Sequence, residues 1–109
     1  KPPAGTGQYN QSVLMVAQEI AGGHHEKWDG SGYPRALKKT KIPLSARIMA
    51  IADMYDALVN ERVYKSAWTH EEAIDEIKKL DGTHFDPKVV SAFLHVEEQV
   101  KIIALSFKD

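Results

Sequence analysis

One hundred and nine residues, 43 % of them hydrophobic, are enough for one domain with a single core and argue against two independent domains or overall disorder. A net charge of −1 with neutral histidines supplies no general field for a polyphosphate backbone; a non-specific coat on polymeric nucleic acid is excluded, while a small anionic ligand at a local basic cluster is not. The absence of cysteine removes disulfides, zinc ribbons, thiol nucleophiles and iron–sulfur clusters, so any metal must be held by nitrogen and oxygen.

The chain opens on Lys1-Pro2-Pro3-Ala4-Gly5-Thr6-Gly7, which has neither an initiator Met nor the apolar centre of a signal peptide. Residues 1–9 read as a disordered or truncated edge, and residues 10–109 as one unit. From Gln11 to His25, apolar residues recur at Val13, Val16, Ala17 and Ile20, the i, i+3, i+4, i+7 spacing of a helix. Continuing those rows predicts that His24 and His25 lie on the buried stripe. Between Glu26 and Lys41 the periodicity stops, and Asp29-Gly30-Ser31-Gly32-Tyr33-Pro34 concentrates residues that tolerate φ > 0 or fix a turn.

Pro43 suits the first turn of a second helix, whose predicted apolar face is Leu44, Ile48, Ile51, Tyr55 and Leu58, running to about Asn60. Thr69-His70-Glu71-Glu72 has capping-box spacing and predicts a third helix to about Leu80 through Ala73, Ile74 and Ile77, with Gly82 as its C-terminal cap. Asp86-Pro87 repeats the start signal. Beyond it Val89, Phe93, Val96, Val100, Ile103 and Phe107 form a seam on one long helix or two nearly collinear ones. That seam closes the core or, as the minor reading, pairs with a second copy in a homodimer. No strand-like alternation competes, so the fold class is all-α, a helical bundle of four to five helices. No apolar run approaches the ~20 residues of a membrane span, and a cytoplasmic location is expected.

Chemistry-bearing residues gather in three places. His24-His25-Glu26 ends the first helix, and Asp53 lies in the middle of the second. Adjacent helical positions differ by about 100°, so neighbouring histidines address two metals, or one metal and a substrate, better than they grip one ion together. Imidazole and carboxylate without thiolate favour iron, manganese or zinc. The structural alternatives are a partly exposed helix end for the histidines and a loop-amide hydrogen bond for Asp53. Asp56 can cap, pair with Arg47 or Arg62, or support a ligand. Glu61-Arg62-Val63-Tyr64-Lys65 places two cations just beyond the Asp53 helix, either as solvated charges or as a grip on an anionic substrate.

The run His24-His25-Glu26-Lys27-Trp28-Asp29-Gly30-Ser31-Gly32-Tyr33-Pro34, followed by Ile42-Pro43-Leu44-Ser45-Ala46-Arg47-Ile48, Ala52-Asp53-Met54-Tyr55-Asp56-Ala57-Leu58, Arg62-Val63-Tyr64-Lys65 and Gly82-Thr83-His84-Phe85-Asp86-Pro87, resembles the HD-GYP family. The resemblance extends over roughly Val13 to Phe93. It implies an HD-superfamily helical fold and a bacterial, metal-dependent phosphodiesterase acting on cyclic di-GMP in signal transduction, giving linear pGpG and, after a second cut, GMP. It also implies two or three divalent metal ions, iron or manganese first, held in part by His24, His25 and Asp53. Arg62 and Lys65 would then contact the cyclic dinucleotide, and Gly32, Tyr33 and Pro34 would form a signature loop that borders the site and meets signalling partners. Before His24 there is no histidine, and the only carboxylate is Glu19. The upstream His-Asp pair of the family is thus not in this sequence, which implies the C-terminal portion of such a domain, inactive alone and with no catalytic residue assigned beyond the ligands. The alternative is a catalytically degenerate module acting in partner binding or regulation.

Overall fold

The computed structural model describes residues 6–106, and side chains from residue 11 onward. Residues 1–5 of the edge expected over 1–9, and Phe107 of the predicted seam, lie outside the described residues; Thr6 already belongs to a helix. Five helices follow: α1 (Thr6–Gly23), α2 (Leu44–Val59), α3 (His70–Lys79), α4 (Pro87–His95) and α5 (Glu97–Ser106). Among the described residues there is no strand, which agrees with the all-α expectation, and no helix is long and apolar enough to cross a membrane.

The core lies between α2, α3 and α4. Ile51, Tyr55 and Val59 from α2 meet Ala73 and Ile77 from α3, with Phe85 from the connecting turn and Val90 from α4. The predicted apolar face of α2 is rotated: Ile51 and Tyr55 are buried as expected, but Leu44 and Ile48 are exposed while Ala46 and Val59 take the inner positions. The end of α1 packs closely on the fully buried Ala46, and glycine at 23 permits this, since a Cβ there would come within 2.9 Å of the Ala46 Cβ. Nearby, Ser45 Oγ donates to Glu19 Oε1 at 2.8 Å.

Two links draw distant segments onto this core. Arg47 Nη1 donates to Asp86 Oδ2 at 2.7 Å, while the other Asp86 oxygen caps α4 by accepting from the Lys88 amide. Asp86 is only 3 % exposed, so its charge depends on Arg47 for compensation. On the far side, Tyr55 Oη pairs with His70 Nδ1 at 2.9 Å, and burial pushes the Tyr55 phenol up from its ordinary value. The exposed Glu71–Lys101 pair joins α3 to α5 at 3.1 Å; their shared hydrogen bond lowers the Glu71 pKa and raises that of Lys101. No buried side-chain nitrogen or oxygen among the described residues lacks a partner.

The Thr69 capping box forms as predicted, with Thr69 Oγ1 accepting from the Glu72 amide and Glu72 Oε1 accepting from the Thr69 amide. Two helix ends differ from expectation. Leu80, not Gly82, caps α3; Gly82 stands two residues further on at φ +83°, where it turns the chain so that its amide reaches the Phe85 carbonyl. The last segment is two helices, because Val96 (φ −115°, ψ 14°) leaves helical geometry. Val89, Phe93 and Val100 of the seam pack on the core, whereas Val96 and Ile103 are exposed, so the seam closes the core only in part.

The α1 stripe is the largest departure. Val13 is 69 % exposed and Val16 43 %, with Leu14 and Met15 between them also exposed. The helix forms as read, but its stripe is not buried: it meets α2 through its C-terminal end, at Gly23 and Glu19, so its middle turns have no facing apolar layer among the described residues.

Candidate functional site

The C-terminal end of α1 delivers His24 and His25, and the following loop folds back over them. His24 Nδ1 lies 2.7 Å from the Ile20 carbonyl. A carbonyl only accepts, so Nδ1 carries the proton, and in the neutral ring the Nε2 lone pair is left available. The two imidazoles are 3.9 Å apart between centroids, and His25 in turn stacks on Tyr33 at 4.9 Å with an interplanar angle of 15°. His24 is half-buried and His25 is exposed, so the expected burial of both is corrected: the chain leaves helical geometry after Gly23, and the α1 stripe is not continued inward.

The loop is built around Glu26, which is buried. Its carboxylate accepts from the Arg35 amide at 2.8 Å and the Leu37 amide at 2.7 Å, one oxygen to each. Gly32 passes so close to the main chain of residues 25–27 that a Cβ there would lie 2.4 Å from the His25 carbonyl oxygen. Only glycine permits this approach, and it brings the Tyr33 amide to the His25 carbonyl at 3.3 Å. Pro34 follows through a cis peptide bond and is exposed. At the outer turn, Asp29 accepts from the Ser31 hydroxyl at 2.6 Å and the Ser31 amide at 2.9 Å, which holds its carboxyl below the usual range.

Together these segments enclose a cleft of about 300 Å³ lined by His24, His25, Lys27, Tyr33, Met54 and His84, among others. His84 is a residue that reading the chain did not single out as part of a site. It lies 59 positions after His25, and only the pairing of the 28–29 main chain with 83–84 brings it there. The predicted ligands are gathered in part. Ala50 and Met54 form the α2 wall of the cleft, whereas Asp53 beside Met54 is exposed; the step of about 100° between adjacent helical residues turns it away.

The two predicted cations lie further along. Arg62 and Lys65 exchange both main-chain hydrogen bonds, at 2.9 and 3.2 Å, making a tight turn with Val63 fully exposed at its tip. Arg62 stands 3.8 Å from Asp56, an exposed pairing, and Arg47 is committed to Asp86 instead. Lys65 Nζ points back onto the end of α2, 3.2 Å from the Leu58 and Ser66 carbonyls, where a cation opposes the helix dipole. It also lies over the Trp68 ring, 5.8 Å from the centroid.

For a divalent cation the donor types fit in part: two neighbouring imidazoles, one of them oriented through its second nitrogen, with the Asp53 carboxylate on α2 outside the cleft. The donor number does not, since the described residues hold no group of three His, Asp or Glu placed to share one ion.

Residues 8–89 match the family described as HD domain. The chain is 57 % identical over 98 residues to a cyclic di-GMP phosphodiesterase of Vibrio cholerae serotype O1, covering 90 % of this chain and 20 % of the relative. It is 47 % identical over 100 residues to a cyclic di-GMP phosphodiesterase of Thermotoga maritima, covering 92 % and 27 %. Among solved structures, a cyclic GMP-AMP-specific phosphodiesterase of Vibrio cholerae superposes with a TM-score of 0.55 at 35 % identity, covering 79 % of this chain and 20 % of that one. The chain thus spans between a fifth and just over a quarter of the length of these curated relatives.

Proposed function

The chain belongs to the HD domain family, and from that premise we propose that it is part of a bacterial HD-GYP phosphodiesterase that hydrolyses cyclic di-GMP to linear pGpG, with GMP as the product of a second cut. The observation that carries this reading is the His24–His25 pair roofed by the Gly32-Tyr33-Pro34 loop in one cleft. The names of the relatives support the substrate class.

His24 and His25 would hold the metal, iron or manganese first, Asp53 would join them by turning toward the cleft it faces away from here, and further donors would complete the set. When bound, the metals supply Lewis-acid activation of water and of the phosphodiester. The chain's own contribution is orientation. The Ile20 carbonyl fixes the His24 ring, Tyr33 backs the His25 ring, and Glu26 holds the loop that carries Tyr33. Arg62 offers an exposed guanidinium to a phosphate or base, and Lys65 joins it by releasing the α2 carbonyls.

With its donors unclosed, the isolated chain turns over cyclic di-GMP negligibly, while a longer protein containing it is active. Product analysis with added Mn²⁺ or Fe²⁺ tests both statements: sustained turnover by the 109 residues alone contradicts the first, and no linear product from the longer protein contradicts the second. The alternative, a degenerate module acting through partner binding, draws on the 60 % exposure of Tyr33 on the loop. A longer protein that binds the dinucleotide without cleaving it would identify that case.

A further inference from the structure

Two polar side chains of the cleft have neither a ligand role nor a part in orienting the histidines and the loop in the reading above: Lys27 and His84. A main-chain strap sets their placement. The Trp28 amide donates to the His84 carbonyl at 3.1 Å, and the Asp29 amide donates to the Thr83 carbonyl at 2.9 Å. Because the strap uses no side-chain atoms, both side chains are left to line the cleft, and both are half-buried there.

The carboxylates nearby are already occupied. Glu26 gives its two oxygens to the Arg35 and Leu37 amides, and Asp29 is held by both donors of Ser31. The cleft is lined by three imidazoles, one ammonium and the Glu26 carboxylate, whose oxygens are committed to the loop amides, while the Asp29 carboxylate at the outer turn carries its charge near Lys27 and His84. The Lys27 ammonium and the His84 imidazole are the donors of this wall that suit a phosphodiester oxygen. An ammonium offers a point charge of adjustable reach, and an imidazole N–H adds a directional donor.

We propose that Lys27 and His84 form a phosphate-gripping wall in the same cleft as the His24–His25 pair, with His84 donating an imidazole N–H to a nonbridging phosphate oxygen and Lys27 supplying charge. Both are positioning residues for the cyclic dinucleotide. The assignment rests on the phosphodiesterase reading and deepens it, by naming which groups of this chain hold the phosphate independently of the metal ligands.

Cyclic di-GMP titrated into the 109-residue chain and followed by two-dimensional amide NMR tests the assignment. The wild-type chain shifts the amides of Lys27, Tyr33 and His84. His84→Ala and Lys27→Ala each weaken binding about tenfold, the loss of one charge-assisted hydrogen bond. His84→Gln, which keeps an N–H donor, recovers most of the affinity. Guanosine, which has no phosphate, does not distinguish the variants from wild type. Melting temperatures stay with wild type because the strap is main chain. Undiminished affinity for cyclic di-GMP in both alanine variants overturns the assignment and leaves the phosphodiesterase reading standing. An equal loss for guanosine overturns it too. Failure of the wild-type chain to bind cyclic di-GMP overturns the assignment, whereas the phosphodiesterase reading is decided separately, by linear product from the longer protein.

Discussion

The α2–α3–α4 core and the α1–cleft region are built from similar amino acids and end in opposite states. In the core, apolar residues from three helices and one turn close on each other. Its buried charge, Asp86, is both paired by Arg47 and used as a helix cap. At the other end, the middle turns of α1 carry an apolar stripe with no facing layer among the described residues, and among those residues no third ligand completes the donors of the histidines that follow it. Burial therefore depends less on how apolar a stripe is than on whether a second layer is placed against it. In this chain the candidate chemistry sits where that layer is lacking among the described residues.

Mutations can break this contrast, and the largest effect is expected in the core. Ile77→Ala empties a fully buried position and should cost about 3 kcal/mol in urea unfolding; a loss below about 1 kcal/mol would mean that the core is looser than its packing implies. Gly32→Ala should be intermediate. It forces the loop off the main chain of residues 25–27, costs about 1–3 kcal/mol through overpacking, and moves the amide signals of His25 and Tyr33 while leaving those of α3 in place. Loss of the α3 signals as well would show that cleft and core unfold as one unit. Val13→Ala should be smallest, within about 0.5 kcal/mol of wild type, since the side chain is 69 % exposed. A cost approaching that of Ile77→Ala would show the α1 stripe to be covered in solution.

Local signals were legible wherever a few adjacent residues settle the matter. Thr69 with Glu72 and Asp86 with Pro87 mark helix starts through hydrogen bonds spanning two or three residues, and both start their helices as read. The His24–His25 pair and the glycine-rich turn after it were legible for the same reason. Choices among distant partners were not. Arg47 had Asp56 within its own helix and took Asp86, 39 positions away, because α4 begins beside α2. Lys65 carries the charge of a ligand-binding residue, and its resting contact with the carbonyls that end α2 was not legible in the sequence. Glu26 follows two candidate ligands in sequence, yet its carboxylate holds the loop amides of Arg35 and Leu37.

The amino-acid sequence by itself determined the all-α class, the approximate helix boundaries and the order of motifs around the histidine pair, because helix periodicity and capping act within a turn or two of the chain. Tertiary structure alone decided which stripe became core, how far α2 rotated, and that His84 joins His24 and His25 at one cleft while Asp53 does not. Those outcomes depend on which surfaces meet across long separations, where burial and pairing are gained only when a second element arrives, and nothing local encodes that arrival.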